Sequence, residues 1–244
     1  MTKDAIPRQL YLDIKFEESI SLDNFINCKS TETLVGMLRQ ISEMKSVSNL
    51  HFLWGGRGVG KSYLMHAVNK ECLSKGLTTA FISLSDSKIN SAEVFNDLSK
   101  LDIIFIEDID EMINLPAWEV GLFNLINECN ADKKKIIISS DRVAKDLDIS
   151  LKDLASRVEA FTGLEVPEIT EEEKIDALKQ SAKRKGIVLE EKTISYILTY
   201  TSRNLSDLLK LLKELDEFSL EKKKKLSPSL VRELLSLRSS SPHT

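Results

Sequence analysis

Four of the nine glycines in this 244-residue chain fall within six residues, Gly55-Gly56-Arg57-Gly58-Val59-Gly60, and Lys61-Ser62 follow them directly. The spacing is G-x-x-x-x-G-K-[ST]. It constrains the fold because the motif works only between a buried strand and the first turn of a helix. Both flanks are present: the apolar run Leu50-His51-Phe52-Leu53-Trp54 precedes it, and a helical pattern from Tyr63 to Lys75 follows. Glycines let backbone N–H groups close around a phosphate without Cβ clashes, and a helix N-terminus adds free donors and partial positive charge. Lys61 is then expected to reach the β- and γ-phosphates and Ser62 to ligate Mg²⁺.

Further apolar, β-prone runs recur between helical patterns, at 78–84, 102–106, 135–138 and 164–166. Near-continuous apolar strands alternating with helices predict a buried parallel sheet, here of five strands, in an α/β domain. Ser30 or Thr31 is placed to cap a helix running to about Met44, with Leu34, Met37, Leu38 and Ile41 on one face. After Pro167 the pattern is all-helical. Thr170 to Glu173 forms a capping box, Leu205, Leu208, Leu209, Leu212 and Leu215 line one helix face, and Ser227-Pro228 opens a last helix. The expected organisation is an extended arm over 1–20, a nucleotide-binding α/β domain over 21–167, a helical lid over 168–238 and a disordered tail over 239–244.

The run Ile103-Ile104-Phe105-Ile106 ends in Glu107-Asp108. Acids at a parallel strand's C-terminal end, some 45 residues after a phosphate loop, suit the metal-holding strand of P-loop NTPases: one acid holds Mg²⁺ and the other polarises the attacking water. Glu107 is one methylene longer than the usual aspartate at the metal position, and Mg²⁺ demands tight octahedral geometry, so slow hydrolysis is expected. Net charge is −4, which argues against a dedicated nucleic-acid binder. The basic runs Lys133 to Lys135 and Lys222 to Lys225 read as solvated loop charge. Three dispersed cysteines suit a reducing cytoplasm and suggest no metal site. No apolar stretch approaches a membrane span.

With these elements in place, nearly the whole chain, from about residue 8 to 237, resembles AAA+ ATPases of the DnaA branch. Within that branch it is most similar to the Hda family, regulators that inactivate the bacterial replication initiator DnaA. Leu22-Asp23-Asn24-Phe25-Ile26 resembles the adenine-side box, and the glycine loop and Ile106-Glu107-Asp108-Ile109 resemble the two Walker elements. Ile138-Ser139-Ser140-Asp141-Arg142 resembles the sensor strand, and Asp153-Leu154-Ala155-Ser156-Arg157 the box whose arginine reaches a neighbour's nucleotide. The resemblance implies that ADP or ATP is bound by Gly55, Gly56, Arg57, Gly58, Val59, Gly60, Lys61, Ser62 and Tyr63 with Phe25 and Ile26. It implies Mg²⁺ at Ser62 and Glu107, catalytic roles for Glu107, Asp108 and Asp141, and Arg157 as a finger acting in trans. Gln9-Leu10-Tyr11-Leu12-Asp13-Ile14 resembles a sliding-clamp docking peptide, with Gln9 supplying an amide and Leu10, Leu12 and Ile14 apolar anchors.

The implied partners are DnaA and the clamp, with a possible homo-oligomer. The chain ends at Thr244, so the helix-turn-helix domain that reads DNA sequence is not expected. At the position of the lid's sensor arginine stands Ser206, with Arg203 one turn earlier. Together with Glu107 this implies weak intrinsic ATPase. A helicase- or transposase-loader of the DnaC and IstB kind is the alternative.

Overall fold

The computed structural model describes residues 20–25, 29–201 and 205–240. The arm motif at Gln9, Leu10, Leu12 and Ile14, and Ile26 and Arg203, therefore lie outside the described residues. Two compact units divide between Pro167 and Glu168.

The first unit is a five-stranded sheet in the order β2-β3-β4-β1-β5, with every neighbouring pair parallel. The strands are β1 (Leu50–Trp54), β2 (Thr79–Ser83), β3 (Ile103–Glu107), β4 (Lys135–Ser140) and β5 (Thr162–Glu165). All of β3 and β4 is buried, as unbroken Ile-rich runs require when helices cover both faces. Alternation divides each strand between two cores. Leu53, Ile103, Phe105, Ile137 and Leu164 pack under α1 (Lys29–Ser42) and α2 (Lys61–Ser74). Phe52, Ile104, Ile106, Ile136 and Ile138 pack under α3 (Pro116–Ala131) and α4 (Lys152–Glu159). This is the expected P-loop α/β architecture.

The second unit is all-helical, with α5 (Glu171–Arg184), α6 (Glu191–Tyr200), α7 (Leu205–Lys222) and α8 (Pro228–Ser240) around one apolar cluster. The Thr170 capping box forms reciprocally: Glu173 N–H donates to Thr170 Oγ1 and Thr170 N–H to the Glu173 carboxylate. No helix among the described residues is long and apolar enough to cross a membrane.

Four details differ from expectation. Helix α1 is already formed at Lys29, so Ser30 and Thr31 lie inside it rather than capping it, and Thr31 is fully buried. Its inner face uses Val35 where Met37 was expected; Met37 is 45 % exposed, because α1 turns its stripe toward α2. Helix α8 continues to Ser240, two residues into the expected tail. Finally, Lys135 is not solvated loop charge. It opens β4 at 3 % exposure, and its Nζ donates to Ser46 O, Ser46 Oγ, Ser48 O and Asn49 Oδ1.

Candidate nucleotide site and arginine helix

The glycine loop leaves the C-terminal end of β1, beside the ends of β4 and β5. In an open parallel sheet this is where strand order reverses and ligands bind. Two glycines are required there by close approach. A Cβ on Gly55 would come within 2.5 Å of the Val166 carbonyl oxygen. Gly60, at φ 105°, is the N-cap of α2, and a Cβ there would meet the Phe25 ring at 3.0 Å. The Phe25 contact places the segment expected as the adenine-side box against the glycine loop. Tyr63 packs beside it, donating from Oη to Ser21 O (3.1 Å), its ring tilted 34° against Phe25 at 5.7 Å between centroids.

Lys61, the first residue of α2, is 7 % exposed. Its Nζ donates to Gly55 O (2.7 Å), Gly56 O (3.0 Å) and Asp141 Oδ1 (2.7 Å). Asp141 follows β4 directly, and Arg57 Nε also donates to its carboxylate at 3.0 Å. Burial pushes the Asp141 carboxyl up, but the hydrogen bonds and charges of Lys61 and Arg57 outweigh it and hold the group below the usual carboxylate range. The expected sensor thus meets the expected phosphate lysine across 80 residues of sequence.

Glu107 ends β3 at 5 % exposure, and Oε1 has no hydrogen-bond partner. Burial, aided by the Asp108 charge, pushes its pKa up to about 7 against the lowering hydrogen bonds from Ser62 and Ser83 and the Lys61 charge. An orphaned oxygen on a carboxylate that the Ser62 hydroxyl also reaches is a donor set that fits a hard divalent cation. Asp108 is left-handed at φ 59° and accepts from Ser85 Oγ at 2.9 Å. Ser206 lies in the first turn of α7.

Arg157 lies in the last turn of α4, and Leu154 and Val158 hold the buried stripe of that helix. The arginine is on the flank of that stripe, exposed, and makes no side-chain hydrogen bond or ion pair among the described residues.

Two acids were not singled out from the sequence. Asp110, in the 3-10 turn Ile109–Met112, accepts from the Asp141 N–H (3.0 Å) and Arg142 Nε (3.1 Å), so it holds the segment that follows β4, where the sensor was expected. Glu119, in the first turn of α3, is 1 % exposed and takes three backbone N–H donors. Asp110 carries no local signal. Glu119 does: it is an acid alone in the apolar run Pro116-Ala117-Trp118-Glu119-Val120-Gly121-Leu122-Phe123.

The family model described as the bacterial DnaA ATPase domain matches residues 16–166, and the one described as the Hda lid domain matches residues 171–235. An uncharacterized protein of Haemophilus influenzae is 28 % identical over 231 residues, spanning 94 % of this chain and 99 % of the relative. Among solved structures, domain III of the Thermotoga maritima replication initiation protein DnaA superposes with a TM-score of 0.74 at 19 % identity, over 90 % of this chain and 97 % of that one. DnaA of Aquifex aeolicus bound to AMPPCP gives 0.70 at 23 % identity, over 82 % of this chain and 66 % of the other.

Proposed function

We propose, for a chain that belongs to the bacterial DnaA ATPase-domain family and carries an Hda lid domain, that it is a negative regulator of replication initiation. It stimulates hydrolysis of DnaA-bound ATP in the presence of the DNA-loaded sliding clamp and leaves inactive ADP-DnaA. The single observation that carries the reading is Arg157. It is an exposed guanidinium on a short helix, tied to nothing among the described residues, at the position where the family resemblance expects a finger.

A planar cation presented to another subunit's active site stabilises charge that develops on the transferring phosphoryl group. The chain's own site supports nucleotide binding: the Gly55–Ser62 backbone and Lys61 hold phosphates, Phe25 and Tyr63 flank the base side, and Ser62 and Glu107 hold Mg²⁺. Bound Mg²⁺-nucleotide supplies charge neutralisation and, in this reading, acts mainly as a structural ligand. Asp108 and Asp141 orient water and phosphate there, and the length of Glu107 keeps intrinsic turnover low. Recruitment to the clamp is assigned to Gln9, Leu10, Leu12 and Ile14.

The test is single-turnover hydrolysis of ATP preloaded on DnaA, with DNA-loaded clamp present. Wild type accelerates hydrolysis. Arg157→Ala loses that acceleration, of the ~10³-fold order of arginine fingers, while retaining clamp binding. Arg157→Lys also fails, because a point charge does not reproduce the planar fork. Full stimulation by Arg157→Ala contradicts the reading. Capture of replicative helicase instead of clamp favours the loader alternative.

A further inference from the structure

We infer that Glu119 is the positioning residue for the arginine helix, holding the start of α4 and through it Arg157; this rests on the trans-acting role proposed above. Helix α4 has eight residues and is anchored to the core by Leu154 and Val158 alone. So short a helix does not hold itself in water, and two apolar contacts set its roll better than its origin. Its N-cap, Leu151, offers no side-chain cap.

The missing cap comes from another helix. Glu119 Oε2 accepts the Leu151 N–H at 2.8 Å, while Oε1 accepts the N–H groups of Ser150 (3.1 Å) and Asn114 (3.0 Å). Ser150 Oγ donates to Asn114 Oδ1 at 2.7 Å and closes the joint. A carboxylate this deeply buried persists only with its lone pairs used, and here it also faces the positive ends of two helices, α3 and α4.

The joint reaches the nucleotide side as well. Asn114 follows the Ile109–Met112 turn, which follows Glu107 and Asp108 and whose Asp110 holds Asp141. Arg157 lies six residues beyond Leu151, about 9 Å along the helix axis. A small tilt at the joint therefore displaces the guanidinium by an ångström, enough to cost up to ~10²-fold where a transition state must be met.

Three donors converge on the Glu119 carboxylate, so an amide of the same shape does not serve. Either orientation of a substituted amide points an NH₂ at a backbone N–H. Glu119→Gln is therefore the variant to test, beside Ile126→Val, a mild core change in α3 that leaves the joint intact. Two quantities are read. One is amide exchange over residues 150–158. The other is the saturating rate and half-saturating concentration for stimulated hydrolysis on DnaA.

Glu119→Gln should exchange over 150–158 tenfold faster or more and lose at least tenfold in saturating rate, with clamp binding and half-saturation within twofold of wild type. Ile126→Val should keep the rate. Unchanged exchange overturns the inference, as does a full rate alongside faster exchange. If wild type itself fails to stimulate hydrolysis, the trans-acting role falls, and the exchange result alone decides whether Glu119 holds α4. If Glu119→Gln does not fold, Ser150→Ala, which removes only the hydroxyl link, carries the same test with a severalfold effect.

Discussion

The two edges of the central sheet both bury charge, and they treat it differently. At the edge where strands begin, Lys135 is enclosed, and four oxygens of the loop Ser46 to Asn49 satisfy it. At the edge where strands end, Glu107 is as deeply buried and keeps an oxygen with no partner. Lys61 there is bonded to the carbonyls of its own glycine loop. Burial alone thus separates nothing. The Lys135 ammonium, satisfied by a loop remote from the glycine loop, belongs to stability; the open Glu107 oxygen, beside a lysine whose acceptors are the glycine-loop carbonyls and Asp141, marks a place for a ligand.

The comparison breaks most readily at Lys135. Lys135→Ala should cost roughly 3–5 kcal/mol, since it strands several buried oxygens and opens a cavity. Urea unfolding measures this, and Mg-ADP affinity should be unchanged. Lys61→Ala is the counterpart: it strands two loop carbonyls and Asp141 and costs roughly 1–3 kcal/mol of stability without nucleotide, while Mg-ADP affinity by calorimetry falls about a hundredfold, or about 2.7 kcal/mol. A large affinity loss at Lys135 with none at Lys61 would reverse the assignment of the two edges.

Glu107 sharpens the same contrast through pH. Its folded pKa of about 7 lies above the ordinary 4.5, so the folded state holds the proton more tightly. The associated stability is full below about pH 4.5 and is lost as pH rises through 7. At pH 8 the buried charge is a net cost, and Glu107→Gln should stabilise the Mg²⁺-free protein by about 2 kcal/mol, with no gain at pH 5. The same variant should lose the Mg²⁺ dependence of nucleotide binding.

The smallest effect is at His51, beside Lys135. Burial, then the Lys135 charge, lowers its pKa to about 4. The unfolded chain protonates near 6.5, so stability present above 6.5 is lost as pH falls toward 4. The loss between pH 7 and 5.5 should be about 1 kcal/mol, and His51→Phe should remove it.

Much of the upper edge was legible because its chemistry is local. Gly55 to Ser62 carry their meaning in consecutive residues, and Glu107 and Asp141 each terminate an apolar strand. The lower edge was not, because Lys135 resembles its neighbours Lys133 and Lys134 until the loop at 46–49 closes over it from 89 residues away. Glu119 stands out as a lone acid in an apolar run, but its role was not legible, because its partners at Ser150 and Leu151 are backbone N–H groups 31 and 32 residues later. Met37 and Val35 exchanged places because helical periodicity gives a stripe but not which neighbour the stripe faces.

The most direct test of the account is the thermal shift produced by Mg-ADP in wild type, Lys135→Ala and Lys61→Ala. At a hundred times the dissociation constant, wild type should gain about 2.7 kcal/mol, seen as a rise of roughly 5–10 °C. Lys135→Ala should start lower and rise by the same amount, while Lys61→Ala should also start lower and rise by only about 1 °C. An undiminished rise in Lys61→Ala, or none in wild type, would contradict the claim that the strand-end edge is a nucleotide site.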